Sequence, residues 1–440
     1  MDEFKGKNIL VFGLGLNQGG VGTALFFAKN GANVRVTDLK SKEILQSSLD
    51  QLKEFPEITY ILGEHKNEDI DWANLIIKNP GVKPGNQYIE YAKSKSKQVE
   101  LDMGIFLDYV NPSQIIGITG TKGKSTTSSL IYEILRSAGE NVILAGNIGK
   151  SVFDVIPHIN KETLVILELS SFQLEAFDLH KLSPKYAVIT NIYPDHLNYY
   201  KSMEEYIAAK KIIGKYQTNS DYLFINEQDK TLNNPQFLKG LQGKIIYYSA
   251  QDLPADFQPS LKGEHNKSNI AASLAVAKAF DITEDQALNA VQNFKGVDFR
   301  QQLIKEWGGV KIINDTTATG PDAAIQALKT YPNSILICGG MNKGMDYTEF
   351  AKVVDENVKK VFFLEGDSTD AIISSLRAQR SNLKIHEPYN NLEKLLNDVK
   401  DFAKSGDTIL FSPAATSFNL FQNEFDRGRK FNESVQKIFA

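Results

Sequence analysis

The segment Gly117-Ile118-Thr119-Gly120-Thr121-Lys122-Gly123-Lys124-Ser125-Thr126-Thr127 holds the residues best suited to chemistry. A β-type apolar run feeds a glycine turn, and the turn opens a helix. Such a turn aims backbone N–H groups at phosphate, and the helix N-terminus adds its partial positive charge. Lys124 can reach the outer phosphates of a nucleotide, and the Ser125 hydroxyl can ligate magnesium. The usual phosphate-loop pattern has a glycine five residues before Gly123, where this chain has Ile118, so the loop is a shortened variant. Taken alone, the segment also suits a glycine-rich turn with a chance Lys-Ser pair.

Other residues carry weaker signals. Glu168 follows the apolar run Leu164–Leu167. It therefore sits at a strand's C-terminal end, where open α/β sheets bind ligands and a carboxylate can hold magnesium. His196 follows the strand expected at Tyr186–Thr190, although a lone histidine is more often a satisfied polar residue. Lys210 reads as a helix-surface lysine, and a protonated lysine cannot ligate a cation. Arg300 and Asp315 read as ordinary salt-bridge members. Near the N-terminus, Val11–Gly20 resembles a dinucleotide fingerprint, with Asp38 about 20 residues beyond it at the end of a strand. The third glycine is misplaced, which argues against NAD. Two late loops follow strands, Gly339–Gly344 with Lys343 and Ser412–Phe418 with Ser417. Lys343 suits a substrate carboxylate, or is a solvated loop lysine.

These residues need strands to end beside one another, and the sequence supplies them. Short apolar runs alternate with helical stretches, which predicts an α/β fold built on parallel sheets. Three blocks open on a strand and a glycine turn, at Ile9–Phe12, Ile115–Thr119 and Val310–Asn314. Domains are expected at 1–99, 100–297 and 298–440, the last boundary following a helical stretch over Asn266–Asn293. The 440 residues suit about three domains. A composition 42% hydrophobic and 23% charged is that of a soluble globular protein, and a net charge of −4 gives no basic field for nucleic acid or anionic lipid. No apolar run approaches the ~18 residues of a membrane span, and the single cysteine, Cys338, reads as a buried strand residue. A cytoplasmic monomer is expected.

Four segments occur in a telling order: the shortened loop Gly120–Ser125, Gly146-Asn147-Ile148-Gly149, Glu168-Leu-Ser-Ser-Phe-Gln-Leu-Glu175, and Asn191-Ile-Tyr-Pro-Asp195-His196-Leu197. Together they resemble the Mur ligase family, whose superfamily includes folylpolyglutamate synthases. The Glu168–Glu175 string resembles the family's glutamate-adding branch. The resemblance implies a Rossmann-like first domain, a central P-loop ATPase-type parallel sheet and a Rossmann-like last domain. It implies an ATP-dependent amide-bond ligase of peptidoglycan precursor synthesis, joining D-glutamate to UDP-N-acetylmuramoyl-L-alanine through an acyl phosphate. ATP would meet Gly120, Thr121, Lys122, Gly123, Lys124, Ser125, Thr126, Asn266, Asn269, Arg300 and Asp315. Magnesium would bind at two sites, through Ser125 and Glu168 and through His196 and a carbamylated Lys210. Lys124, Glu168, His196, Lys210 and Asn147 would serve catalysis. Leu16, Asn17, Asp38, Gly81, Asn147 and His196 would hold the UDP-linked substrate, and Thr319, Lys343, Ser417 and Phe418 the amino acid.

The chain also departs from the family pattern. Thr317 stands where a lysine is usual, Glu424 where an aromatic is usual, and Asn198 where an aspartate is usual. The central domain looks trimmed before His265. The first two changes border the amino-acid pocket and leave L-glutamate as an alternative. Another ligase of the superfamily and a non-catalytic or NAD-dependent nucleotide-binding protein are the remaining readings.

Overall fold

The inner strands are largely apolar because parallel strands inside a sheet are covered on both faces. Ile9, Leu10, Val11 and Phe12 are all buried, as are Ile115, Ile116 and Ile118. The structure is a computed structural model describing residues 2–16, 18–147, 151–197, 199–259, 261, 263–342, 345–417 and 420–440. Its strands are β1 (Asn8–Phe12), β2 (Asn33–Asp38), β3 (Thr59–Leu62), β4 (Leu75–Lys78), β5 (Gln98–Glu100), β6 (Ile115–Thr119), β7 (Val142–Gly146), β8 (Leu164–Glu168), β9 (Tyr186–Ile189), β10 (Tyr222–Asn226), β11 (Lys244–Tyr248), β12 (Gln302–Trp307), β13 (Val310–Asn314), β14 (Ser334–Cys338), β15 (Val358–Phe363) and β16 (Thr408–Phe411).

They form three sheets, ordered β3-β2-β1-β4-β5, β11-β10-β9-β6-β8-β7 and β12-β13-β16-β14-β15. The first two are wholly parallel. In the second, β6 lies between β8 and β9, so connections leave it in opposite directions and open a crevice at its C-terminal end. The chain divides into two compact units, residues 1–294 with the first two sheets and residues 295–440 with the third.

The three α/β sheets are as expected, and two details sharpen that reading. The third sheet is mixed, because β12 runs antiparallel to β13. Gly308 and Gly309, at φ 52° and 81°, make the two-residue hairpin between them, and such a Gly-Gly turn suits the twist of paired antiparallel strands. The helical stretch Asn266–Asn293 is two helices, Glu264–Lys278 and Glu284–Asn293. Asp281 turns left-handed between them, and a Thr283–Gln286 capping box starts the second. Cys338 is a buried strand residue as expected, and burial raises its thiol pKa. Among the described residues no helix is long and apolar enough to cross a membrane.

One apolar core runs through both sheets of the first unit. Phe26, on the helix Gln18–Lys29, stacks on Phe153 of the turn Val152–His158, with ring centroids 4.1 Å apart. Replacing Phe153 by alanine is therefore expected to destabilise this unit by about 3–5 kcal/mol through lost burial and a cavity. Urea unfolding measures it; a loss below about 1 kcal/mol would show that this stack does not hold the two sheets together.

Candidate active site

The glycine turn after β6 is built by close approach. Gly120 has φ 146°, and a Cβ there would strike the Thr190 hydroxyl at the end of β9. Gly123, at φ 84°, caps the helix Lys124–Ser137, and a Cβ there would strike the Asn269 side chain. As a glycine, the N-cap offers no side-chain acceptor to the start of that helix. The turn is clamped by the strand end beside it. Thr190 Oγ1 donates to the Lys122 carbonyl at 2.6 Å, and Asn191 Nδ2 donates to the same oxygen at 3.0 Å. Asn191 Oδ1 accepts from the Lys122 N–H at 2.9 Å, and its carbonyl accepts from the Thr121 N–H at 2.9 Å. Thr127 Oγ1 donates to Asn269 Oδ1 at 3.3 Å, and Asn269 Nδ2 donates to Asn266 Oδ1 at 3.0 Å, so this asparagine pair lies behind the turn. Ser125 is buried and Thr126 half-buried.

Glu168 ends β8 beside Ile118 of β6. It is 1% exposed. Its Oε1 accepts from Asn147 Nδ2 at 3.2 Å, while Oε2 is buried without a hydrogen-bond partner among the described residues. A buried carboxylate oxygen left bare fits a cation ligand. Ile148 and Gly149 of the Asn147 motif lie outside the described residues.

The helix Met203–Lys215 brings Lys210 to the other side of the turn, where it is 2% exposed. Its Nζ donates to the Gly120 carbonyl at 2.8 Å and lies 4.7 Å from the centre of the Tyr206 ring. Lys124 Nζ donates to the same carbonyl at 2.9 Å and to that of Thr121 at 3.0 Å. Among the described residues no carboxylate pairs with Lys210. Burial, with Lys124 beside it, pushes the Lys210 amine down to about 6. The expected helix-surface lysine is thus an interior one. Lys122 reaches out to Asp195 at 3.7 Å.

His196 has a left-handed backbone, φ 55°, and its ring packs on Phe172 and Tyr206 at 5.0 and 6.0 Å. Burial, then Lys210, Lys124 and Lys122, lower its pKa against the opposing Asp195, favouring the neutral ring that metals bind. Among the described residues no three His, Cys, Asp or Glu side chains cluster as a metal site. A cation beside His196 would therefore need another anionic ligand.

The first-sheet residues form a separate group. Asp38 is buried, and its oxygens accept from the Gly15 N–H at 2.9 Å and the Lys40 N–H at 2.8 Å, fixing the first glycine turn. Leu16 is half-buried in that turn and Gly81 is exposed, its N–H held by Asn79 Oδ1 at 3.0 Å. Asn17 and Asn198 lie outside the described residues.

In the second unit, Asp315 is buried, accepting from the Gln301 N–H at 3.1 Å and from Ser412 Oγ at 2.7 Å. Burial lifts its carboxyl to about 7, although Ser412, Gln301 and the charges of Arg300 and Arg427 oppose it. Arg300 is exposed and Thr319 half-buried. Ser417 is buried, and among the described residues its hydroxyl has no hydrogen-bond partner. Lys343 and Phe418 lie outside the described residues. Thr317, where a cation was expected, donates its hydroxyl to the Phe299 carbonyl at 2.9 Å.

Sequence reading gave no role to Thr190, Asn191, Tyr206 or Arg427. Asn191 lies inside the motif Asn191–Leu197, but its pair of hydrogen bonds with Lys122 depends on β9 lying next to β6, which no local pattern reveals.

Three family models match the chain. The Mur ligase MurD-like N-terminal domain matches residues 7–100, the Mur ligase middle domain 118–277, and the Mur ligase glutamate ligase domain 299–415. Among curated proteins, a UDP-N-acetylmuramoylalanine–D-glutamate ligase of Roseiflexus sp. is 36% identical, covering 99% of this chain and 100% of its own. The protein of that name from Borreliella afzelii is 36% identical over 100% of this chain and 99% of its own, and that from Clostridioides difficile 32% over 99% and 100%. Of solved structures, the UDP-N-acetylmuramate-alanine ligase MurC of Thermotoga maritima superposes with TM-score 0.62 at 20% identity, covering 98% of this chain and 99% of that one. MurF ligase of Thermotoga maritima, in complex with ADP, gives 0.56 at 17% identity, over 99% and 96%. These likenesses show the shared fold.

The clamp on the glycine turn generates a prediction. Asn191→Ala removes two side-chain bonds to Lys122, at a cost of about 1–3 kcal/mol, and is expected to weaken nucleoside triphosphate binding roughly tenfold. Calorimetric titration reads the affinity and a thermal melt controls for unfolding. Unchanged affinity would show that the turn keeps its shape without Asn191.

Proposed function

We propose that this chain, which belongs to the Mur ligase family, joins D-glutamate to UDP-N-acetylmuramoyl-L-alanine with ATP, in peptidoglycan precursor synthesis. The observation that carries the reading is the glycine turn that opens the helix Lys124–Ser137, its N-cap Gly123 without a side-chain acceptor, together with the buried carboxylate of Glu168, of which one oxygen has no hydrogen-bond partner among the described residues. Polyphosphate suits a helix start whose glycine N-cap has no side-chain acceptor, and a cation suits the Glu168 oxygen that has no hydrogen-bond partner among the described residues. Likeness to the curated D-glutamate ligases supports the substrates.

In this reading the alanyl carboxylate attacks the γ-phosphorus of ATP, and ADP leaves. The glutamate amine then attacks the acyl carbon, the C–N bond forms, and phosphate departs as the amine gives up a proton. Lys124 holds the transferring phosphoryl group, and the N–H groups of the glycine turn hold the charge that passes to the leaving ADP. Ser125 and Glu168 are the ligands we assign to one magnesium, and His196 and Lys210 those for a second. When bound, magnesium neutralises phosphate charge and aligns attacking and leaving oxygens. Lys210 would serve as its carbamate: the neutral amine adds carbon dioxide, an N–C bond forms and a proton is lost to solvent. A buried lysine without a carboxylate partner is suited to this. The UDP moiety is assigned to Leu16, Asn17, Asp38 and Gly81, with Asn147 and His196 toward the reacting end. The amino acid is assigned to Thr319, Lys343, Ser417 and Phe418, and ATP also to Asn266, Asn269, Arg300 and Asp315. The boundaries 1–99, 100–297 and 298–440 assign one ligand mainly to each domain.

A second reading, L-glutamate as the amino acid, rests on Thr317 and Glu424. Both alter charge or shape at the border of the pocket, and inverting the α-carbon exchanges the carboxylate positions.

Phosphate release measured with every combination of substrates is the direct test. It should require magnesium, ATP, UDP-N-acetylmuramoyl-L-alanine and D-glutamate together. Lys124→Ala should lose about 3 kcal/mol or more of transition-state stabilisation, a rate fall of more than a hundredfold. Near-normal turnover of that variant would remove the assignment, and product with L-glutamate alone would select the second reading. Lys210→Ala should be nearly inactive and partly rescued by a short-chain carboxylate. A bare lysine mass at position 210 in active, bicarbonate-equilibrated enzyme would exclude the carbamate.

A further inference from the structure

Arg427 is among the largest fully buried side chains in the molecule, and no proposed step uses it. It lies on the helix Glu424–Ile438. Its Nε donates to Thr316 Oγ1 at 2.8 Å, one terminal nitrogen to the Thr316 carbonyl at 2.7 Å, and the other to the Ala415 carbonyl at 3.0 Å. One guanidinium therefore bridges two loops that are far apart in sequence. The first runs from Thr316 to Thr319, the second from Ala415 to Ser417.

Chemistry makes this placement unusual. A buried arginine ordinarily faces a carboxylate, because an unpaired buried charge is costly. Among the described residues Arg427 makes no ion pair. Glu424 and Asp315 are close enough to act on it through space, yet all three bonds described above go to neutral oxygens. Burial lowers the guanidinium pKa to about 9, so it remains charged at neutral pH. The surroundings are tight. Asn314 Nδ2 donates to the Gly428 carbonyl at 3.0 Å, and a Cβ on Gly428 would strike the Phe299 ring and the Thr316 methyl. The helix is thus pressed against the Thr316 turn, and the planar fork of arginine reaches acceptors on both loops. Lysine has one nitrogen and cannot reproduce that geometry.

We propose that Arg427 is a positioning residue of the amino-acid pocket, holding the loops that carry Thr319 and Ser417 at a fixed separation. This rests on the reading of those two residues as amino-acid contacts. The Ser417 hydroxyl is buried and has no hydrogen-bond partner among the described residues; it lies two residues beyond the bridged carbonyl, on a segment that Thr416 also ties to Met341 through 3.0 Å backbone bonds, so Arg427 sets where that tied segment stands relative to the Thr316 loop. Arg427 touches no substrate in this account; it acts through Thr316 and Ala415.

The test uses full-length enzyme, with initial rates measured while each of the three substrates is varied in turn. Arg427→Lys keeps the charge and loses the bridge, and should raise the KM for glutamate about tenfold or more. The KM values for ATP and the UDP-linked substrate should stay within about twofold. Thr316→Val removes only the hydroxyl that Nε bonds, keeps a methyl against Gly428, and should raise the glutamate KM by less in the same direction. Should Arg427→Lys fail to fold, Thr316→Val decides alone. An unchanged glutamate KM in Thr316→Val, or an equal rise in all three KM values with a lowered melting temperature, would overturn the proposal in favour of a purely structural arginine. Wild-type enzyme that turns over every substrate combination except those with glutamate would overturn the functional reading along with it.

Discussion

Lys124 and Lys210 both donate to the carbonyl oxygen of Gly120, so two lysine amines crowd one acceptor. Burial beside Lys124 pushes the Lys210 amine down to about 6, so at neutral pH the positive charge here is that of Lys124, reinforced by the partial positive charge of the helix start at Gly123. Much of the surrounding structure fixes this arrangement. Thr190 and Asn191 hold the turn from β9, Asn269 supports it from behind, and glycine at 120 and 123 lets these neighbours approach. A preformed excess of positive charge at the end of a strand is a receptor for a polyanion, and its rigidity means little reorganisation when one binds.

The opposite sign is treated in the same way. Glu168 is buried with one oxygen bonded to Asn147 and the other bare. In the second unit, Asp315 is raised toward neutrality by burial and held by a hydroxyl and an N–H. Groups left without their natural partners cost folding free energy. That cost is offset when ligands bind the folded chain and not the unfolded one, so a site of this kind couples stability to occupancy.

How much of this is legible in sequence depends on the range of the interaction. The glycine turn, its helix and Glu168 at a strand end are local patterns, and each stands where its residues predict. The mixed third sheet escaped notice although Gly308-Gly309 encodes its hairpin. The break near Asp281 was hidden because both flanking segments are helix-forming, and only the Thr283–Gln286 cap marks the restart. Lys210 is the sharper case. Its helix reads as amphipathic, and nothing within it tells that its lysine faces an interior carbonyl ninety residues earlier in the chain. Arg427 and Asn191 are unreadable for the same reason, since their partners belong to other strands and loops. The family resemblance supplied roles for Lys210 and His196 that physical reading of the local sequence could not.

The first unit adds a constraint of distance. On the proposed assignment, a substrate held at the turns of the first sheet and reacting beside Lys124 spans two sheets, and its reach is useful only if that span is fixed. A single apolar core through both sheets supplies the fixing, with the Phe26–Phe153 stack inside it. Polar ties lie nearer the ligand side. Lys78, at the end of β4, pairs with Glu175 at 2.7 Å, and Tyr199, three residues after His196, donates its hydroxyl to the Val82 carbonyl at 3.2 Å. The turn at Asn79–Gly81 and the His196 loop are therefore held to one another by side chains next to both. A hydrogen bond from a tyrosine wedged against Phe172, at 4.4 Å between ring centres, adds a directional tie to that packing.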